Sequence, residues 1–323
     1  RRFMPARTSP GQTRSALPSP TPGGSEKLAR GPGLEFRVGS ANVGTMKGRH
    51  GEVAEMCDRR HLDFCCLQET RWKGSGARML GTGKYKFFWV GCEEGTAGVG
   101  VLVEKSWVDK VLEVRRVSER LMVLRVRMAR SVLNLVSVYA PQAGRVMAEK
   151  EEFLLQLREV LAAIDAKERL VVCGDMNGHV GAASDGFEGI HGGFGYGVRN
   201  TEGEMLLELA DAMDLVVANT WFKKGEKQLV TYEWDGCRTV VDYILVPKSD
   251  RKLVRNVTVF QGESSLLQHK LLVGVFQLSE SGCRSKSEVF VSKRKVWKLK
   301  EPEIRQTFEA KVGERLANRP DGE

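Results

Sequence analysis

The chain has no run approaching the roughly 18 consecutive apolar residues that a membrane-spanning helix needs, so no membrane span is expected. Arg1-Arg2-Phe3-Met4 is not followed by an apolar run either, which gives no expectation of a secretory signal. Cysteine is too sparse for a disulfide framework. The seven are odd in number, and Cys65, Cys66 and Cys173 lie inside apolar runs, the pattern of reduced, buried thiols. Cys65-Cys66 is too close a pair for a zinc knuckle, and the glycine-rich run 91–100 lacks the GxxxxGK spacing of a nucleotide P-loop. Without zinc-finger spacing or a coiled-coil heptad the sequence names no dimerisation device and gives no evidence for an oligomer.

Excess charge is missing from the middle of the chain. The net charge is +9 over 323 residues, yet residues 1–30 carry six basic and one acidic side chain and residues 281–323 carry eleven and seven, leaving 33 of each sign for 31–280. The central part is therefore not a polycation, and any surface it offers to a nucleic acid must come from local arrangement. Six of the ten prolines fall in the first 33 residues, among Ser, Thr and Gly, a composition that cannot bury enough surface to offset ordering entropy. Three parts are expected: a disordered basic tail over 1–33, one globular domain over 34–280, and a basic, partly helical tail or linker over 281–323.

Within the domain the pattern is strand, helix, strand at its start. Residues 36–43 read as a strand, Val53, Met56 and Cys57 recur at helical spacing, and 62–67 is a short apolar run. Short β-branched or aromatic runs follow at 85–90, 98–103, 111–117, 121–128 and 132–138. A helix then carries Phe153, Leu157, Val160, Leu161 and Ile164 on one face, with Glu149, Glu151 and Glu152 where the amino-terminal dipole favours acids. Residues 170–173 are again a strand, 181–199 a loop, and 202–213 a helix placing Met205, Leu206, Leu209 and Met213 toward the core. Strands at 215–218, 230–234, 239–246, 254–260 and 271–276 complete an α/β pattern of two stacked sheets with helices outside.

Polar residues that need geometry stand where the apolar strands stop: Asn42, Glu69, Tyr139, Asp175 with Asn177, Asp242 and His269. Strand ends in α/β folds open onto the crevice where ligands sit. As a set they suit one task. Glu69, helped by Asn42, offers oxygen to a hard cation such as Mg²⁺, with Mn²⁺ as a substitute. Asp175 is placed to take a proton from an attacking water, Asn177 to fix phosphate or water, and His269 to donate to a non-bridging oxygen. Asp242 is an acid inside a buried-looking strand, which requires a partner. Arg71, Lys73, Arg78 and Lys84, with Trp72 among them, read as a phosphate-facing rim, and Arg238 with 231–234 as a second contact surface.

The order of these motifs is recognisable. Ser40-Ala41-Asn42-Val43, Leu67-Gln68-Glu69-Thr70-Arg71-Trp72, Gly98-Val99-Gly100-Val101, Val138-Tyr139-Ala140-Pro141, Gly174-Asp175-Met176-Asn177-Gly178, Val241-Asp242-Tyr243-Ile244 and Gln268-His269-Lys270 together resemble the endonuclease/exonuclease/phosphatase family. More closely they resemble the apurinic-like endonuclease domain of RTE-type non-LTR retrotransposons and the craniofacial development protein 2 group of host proteins. The resemblance covers about 34–278. It implies a four-layer α/β sandwich of two mixed, mostly antiparallel sheets flanked by helices, and Mg²⁺-dependent nicking of double-stranded DNA that leaves a 3′-hydroxyl. It also implies that Glu69 is the principal metal ligand with Asn42 beside it, and that Tyr139 contacts the scissile phosphate. Asp175 would orient or deprotonate water, Asn177 would bind phosphate, and Asn200 would be the active-site Asn after the variable loop. Asp242 and His269 would support the phosphate.

Two departures from the family pattern matter. Gln268 stands where the wider family has Asp, so the neighbour of His269 supplies no charge; Gln268 is expected to orient the ring by hydrogen bond and to leave it largely neutral near pH 7 unless Asp242 or a phosphate charges it. Ala41 precedes Asn42 where Trp or Leu is common, which removes a core contact and no catalytic group. Two other readings remain at this level: a phosphomonoesterase or lipid phosphatase on the same fold, and a catalytically weak, retroelement-derived chromatin interaction protein. A nuclear address is expected from DNA as substrate and from Lys293-Arg294-Lys295.

Overall fold

The apolar runs of the sequence become the strands of two sheets in a computed structural model, which describes residues 34–129, 131–278 and residues 305, 306, 309 and 310. The expected tails over 1–33 and 281–323, including Lys293-Arg294-Lys295, lie outside the described residues apart from those four. In chain order the elements are Leu34–Asn42 (β1), His50–Arg59 (α1), Phe64–Gln68 (β2), Ser75–Leu80 (β3), Tyr85–Val90 (β4), Val99–Glu104 (β5), the single turn Lys105–Val108 (α2), Val111–Ser118 (β6), Leu121–Arg127 (β7) and Val132–Tyr139 (β8). Then come Met147–Ala162 (α3), Arg169–Asp175 (β9), Thr201–Ala212 (α4), Leu215–Val217 (β10), Tyr232–Trp234 (β11), Cys237–Thr239 (β12), Asp242–Pro247 (β13), Val254–Phe260 (β14) and Leu271–Leu278 (β15).

One sheet has the order β14-β15-β1-β2-β5-β4-β3, the other β10-β13-β9-β8-β7-β6, and β11 and β12 form a separate hairpin. Each large sheet has one parallel pair, β1 with β2 and β8 with β9, amid antiparallel neighbours. Parallel strands need a long crossover, supplied by α1 in the first case and α3 in the second. The two sheets therefore share a plan.

The inner faces of the sheets meet in a core that includes Val38, Phe64, Cys66, Val101, Leu124, Leu135, Val171, Cys173 and Ile244. The outer face of the first sheet is covered by Val53, Met56 and Cys57 of α1, packed with Leu62, Cys65, Leu67 and Leu271. Phe153 and Leu157 of α3 and Leu206 and Leu209 of α4 cover the outer face of the second, against Val136, Val172 and Leu245. Helix, sheet, sheet, helix is the expected four-layer sandwich. Each fully buried Leu, Phe or Met contributes about 1.5–3 kcal/mol by leaving water. Cys57, Cys65, Cys66 and Cys173 are buried free thiols. Among the described residues no helix is long and apolar enough to cross a membrane.

Three local expectations need correction. The segment read only as a basic rim contains β3, an edge strand in register with β4 whose side chains are mostly exposed before Leu80. The strand expected at 239–246 is two elements, because Val240 and Val241 break from β12 before Asp242 opens β13. Helix α4 buries Leu206, Leu207, Leu209 and Ala210, while Met205 and Met213 are only half-buried.

Candidate active site

Parallel pairing brings strand ends of like sense to one edge. Asn42 ends β1 and Glu69 follows β2; across the sandwich Tyr139 ends β8 and Asp175 ends β9. Asp242 opens β13 directly opposite Asp175. Two half-sites, one per sheet, thus meet at the seam. Asn42 joins them: its Nδ2 donates to Glu69 Oε1 and to Asp175 Oδ2, both at 3.0 Å. Its Oδ1 accepts from Gly44 N–H at 3.0 Å, so Asn42 stands as a donor between two carboxylates.

Glu69 also accepts from the Tyr139 hydroxyl at 2.7 Å through Oε1 and from Arg71 at 3.0 Å through Oε2. Burial alone would raise its pKa, but the hydrogen bonds from Asn42, Tyr139 and Arg71 outweigh it and hold the carboxyl below its ordinary value. Burial and the Glu69 charge push the Tyr139 phenol up, so it stays a donor. Glu69 and Arg71 have φ of 51° and 52°, a left-handed backbone that costs non-glycine residues about 1–3 kcal/mol. Three backbone hydrogen bonds pin this strained turn: Thr70 N to Gly98 O at 3.1 Å, Arg71 N to Ala97 O at 2.9 Å and Met46 N to Thr70 O at 2.9 Å. Asn177, at φ 47°, shares the conformation.

The second half-site is a chain of titratable groups. His269 Nδ1 lies 3.0 Å from Asp242 Oδ2 and its Nε2 3.7 Å from Asp175 Oδ2. The Thr231 hydroxyl accepts from the N–H of Val241 at 3.0 Å and of Asp242 at 3.1 Å, which fixes the entry to β13. Burial works against a charged His269, but Asp242, then Asp175 and Glu69, raise its pKa to about 9. Burial and the Asp242 charge push Asp175 up to about 7, against the pull of His269 and of hydrogen bonds from Asn42 and Asn177. His269 is thus a cation below about pH 9, the case in which Asp242 charges a ring that Gln268 alone would leave neutral. The partner that orients it is Asp242, at 3.0 Å from Nδ1, while the Gln268 backbone carbonyl accepts from Glu233 N–H at 2.9 Å.

Oxygen-rich groups suited to a divalent cation are present on both sides of Asn42. Glu69 offers a carboxylate, and Asp175, Asp242 and His269 have ligand atoms within 4.8 Å of one another. Asp242 Oδ1 is buried and has no hydrogen-bond partner, an orphaned acceptor that a cation or its water would satisfy. The carboxylate oxygens of Glu69, Asp175 and Asp242 fit a hard cation, while His269 in its charged form is not a ligand.

Of the other expected site residues, Asn177 joins the cluster: its N–H donates to Asp175 Oδ1 at 3.0 Å and its Nδ2 to Ala140 O at 2.9 Å. Asn200 does not. Its Oδ1 caps α4 by accepting from Gly203 N–H and also takes His179 N–H, both at 2.8 Å. That cap is tight enough that a Cβ on Gly203 would sit 1.8 Å from His179 O. Arg71 reaches Glu69. Trp72, expected within the rim either as a base-stacking ring or as a partly buried anchor, is the anchor: it is half-buried against Phe87 and Trp89, with the Arg78 guanidinium 4.4 Å over its ring. Lys73 is exposed, and Arg238, also exposed, pairs with Glu226 at 2.9 Å and Glu233 at 3.4 Å.

Sequence reasoning missed Arg120, Gln142 and Arg145, which with Glu69, Arg71 and Tyr139 line a cavity of about 100 Å³. It also missed Lys150. The run Glu149-Lys150-Glu151-Glu152 reads as a solvated helix start, yet Lys150 is buried and its Nζ donates to Ala143 O at 2.6 Å and Glu202 Oε1 at 2.7 Å. The ammonium thereby ties α3 and α4 to the loop after Tyr139. Lys150→Met is expected to cost about 2 kcal/mol of stability, at the low end for a broken buried pair because Glu202 keeps some access to water. Urea denaturation checks this; an unchanged midpoint would show the pair to be ornamental.

The profile of the "Endonuclease/Exonuclease/phosphatase family" matches residues 39–264. "Craniofacial development protein 2" of Tragulus javanicus is 28% identical over 248 residues, 76% of this chain and 42% of that protein, so the chain spans about two fifths of this relative's length. Among solved structures, the catalytic domain of APE2 from Xenopus laevis superposes with a TM-score of 0.58 at 13% identity, covering 77% of this chain and 95% of that one. The endonuclease domain of TRAS1, described as a telomere-specific non-LTR retrotransposon, gives 0.55 at 17%, covering 75% and 99%. At such identities these two likenesses speak for the fold.

Proposed function

Since this chain belongs to the endonuclease/exonuclease/phosphatase family, we propose that it is a Mg²⁺-dependent endonuclease that nicks double-stranded DNA and leaves a 3′-hydroxyl. The observation that carries the reading is the series of hydrogen bonds and ion pairs from Arg71 through Glu69, Asn42 and Asp175 to His269 and Asp242, which links the two sheets.

Glu69 is the residue that would hold the cation, with Asn42 fixing it from one side. When bound, the metal supplies a Lewis acid that neutralises phosphate charge and stabilises the departing oxyanion. The chain's own residues do the rest. Asp175, its pKa near 7, accepts the proton of the attacking water, since a base works best when its pKa lies near the operating pH. His269, a cation at that pH, donates from Nε2 to a non-bridging oxygen, and Asp242 keeps it charged and oriented. Tyr139, whose hydroxyl donates to Glu69 Oε1, contacts the scissile phosphate in this reading, and Asn177 holds phosphate or water beside Asp175. Plasmid nicking in Mg²⁺ and in EDTA tests the reading: a folded preparation without metal-dependent turnover would sink it. That outcome would favour the second reading, a retroelement-derived chromatin interaction protein, which draws on the host proteins among the curated relatives.

The DNA surface in this reading extends along the hairpin. Tyr232 bridges to His269, and two residues from that bridge on either segment Trp234 and Leu267 are exposed, at 55% and 74%. An exposed Trp beside a phosphate site offers a base-stacking face worth about 1–3 kcal/mol. The double variant Trp234→Ser, Leu267→Ser is expected to weaken duplex binding about tenfold while the dependence of log K on log [salt] keeps its slope, because no phosphate contact is lost. A changed slope with unchanged affinity would refute this placement.

A further inference from the structure

Both oxygens of the Glu69 carboxylate are occupied, but not in the same way. Oε1 is held from within by Asn42 and Tyr139, the fixed parts of the network. Oε2 is paired to Arg71, whose side chain is 47% exposed. A guanidinium therefore stands on the oxygen that a cation approaching from the cavity must take. The cavity holds two more guanidiniums, and both are balanced elsewhere: Arg120 lies 3.4 Å and Arg145 3.9 Å from Glu149. Arg71 has Glu69 as its ion-pair partner, on a turn where both residues adopt left-handed backbone angles.

We propose that Arg71 is an exchangeable counter-ion, pairing with Glu69 Oε2 until a divalent cation takes that oxygen and then passing to a phosphate oxygen of the nucleic acid. The inference rests on Glu69 being the metal ligand and adds an order to the site. Metal alone has to displace Arg71 and leave it facing a new charge, so it binds weakly. A phosphodiester gives Arg71 another partner and removes that penalty, so metal and phosphate strengthen each other's binding by the same factor. A planar guanidinium suits both roles, since its donors fit a carboxylate and a phosphate alike.

The test needs no turnover. Mn²⁺ binding to the full chain is followed by the electron paramagnetic resonance of free Mn²⁺, with dimethyl phosphate as the diester probe, for the parent, Arg71→Met, Arg71→Lys and Glu69→Gln. Arg71→Met is expected to bind Mn²⁺ about tenfold more tightly than the parent, within the usual range of coupling between sites, while Arg71→Lys stays close to the parent. Dimethyl phosphate should tighten Mn²⁺ binding in the parent and add little in Arg71→Met. Mn²⁺ affinity in Arg71→Met equal to or weaker than the parent's, or an equal gain from dimethyl phosphate in both, overturns the proposal. If Glu69→Gln binds Mn²⁺ as well as the parent, the metal assignment itself fails, an outcome distinct from the failure of exchange at Arg71.

Discussion

Glu69→Gln is expected to reduce metal-dependent nicking by at least about 100-fold, with little recovery at high Mg²⁺, because it removes the one carboxylate that stands on the first sheet's side of the site. The change is close to isosteric. The retained amide oxygen can still accept from Asn42 and Tyr139, so the seam between the sheets keeps its link. The new Nε2 faces Arg71, donor against donor, and that pair opens; the Arg71 side chain is 47% exposed and turns to solvent. A thermal midpoint within a few degrees of the parent alongside the lost activity would separate chemistry from folding. Equal nicking by parent and variant would remove Glu69 from the mechanism.

The second large effect is expected from Asp242→Asn. Asp242 is the chief group that opposes desolvation of His269, so without it only Asp175 and Glu69 work against burial and the imidazole pKa falls from about 9. Nicking at pH 7.5 should drop about 100-fold, the scale of one acid–base or charge-stabilising group, and the remaining rate should rise toward lower pH. The sign for stability follows from the raised value. In the metal-free parent the His269 contribution is complete below its unfolded pKa near 6.5 and fades as pH climbs through about 9. Histidine NMR resolves the point, since burial lowers the pKa of His179 and His191 and only His269 should titrate on the alkaline side of these three. A His269 resonance titrating near 6.5 in the parent would undo the account. Gln268→Asp, by contrast, should shift this titration little, because Asp242 already holds the ring.

Much of the site was legible because its residues mark where apolar strands stop, and parallel pairing carries such ends to one edge. Asn42, Glu69, Tyr139 and Asp175 fall together for that reason, while Asp242, which opens β13, and His269, which precedes β15, reach the same edge through antiparallel neighbours. What the sequence hid were side-chain destinations. Arg71 reads as a rim cation, but the left-handed turn at 69–71 folds it back onto Glu69. Asn200, likened to an active-site Asn, obeys the more general rule for an Asn three residues before a buried Gly at a helix start and caps α4. Edge strand β3, Ser-Gly-Ala-Arg-Met-Leu, lacks alternation since neither face of an edge must be buried throughout, so periodicity could not announce it. Lys150 is buried by the loop it holds, a contact between segments that no local pattern encodes.

The shared plan of the two sheets has a mechanical consequence. Strands β1 and β2 bring Asn42 and Glu69 on one rigid plate, and β8 and β9 bring Tyr139 and Asp175 on another. The plates are joined at the working edge by short polar contacts and along their length by a slab of packed hydrocarbon. Sliding one plate past the other by an ångström breaks the Asn42–Asp175 and Tyr139–Glu69 contacts together while leaving every strand ladder whole. The geometry of the proposed site is thus a vernier on the alignment of the slab, and residues deep within it, such as Leu135 and Val171, set the calibration from a distance.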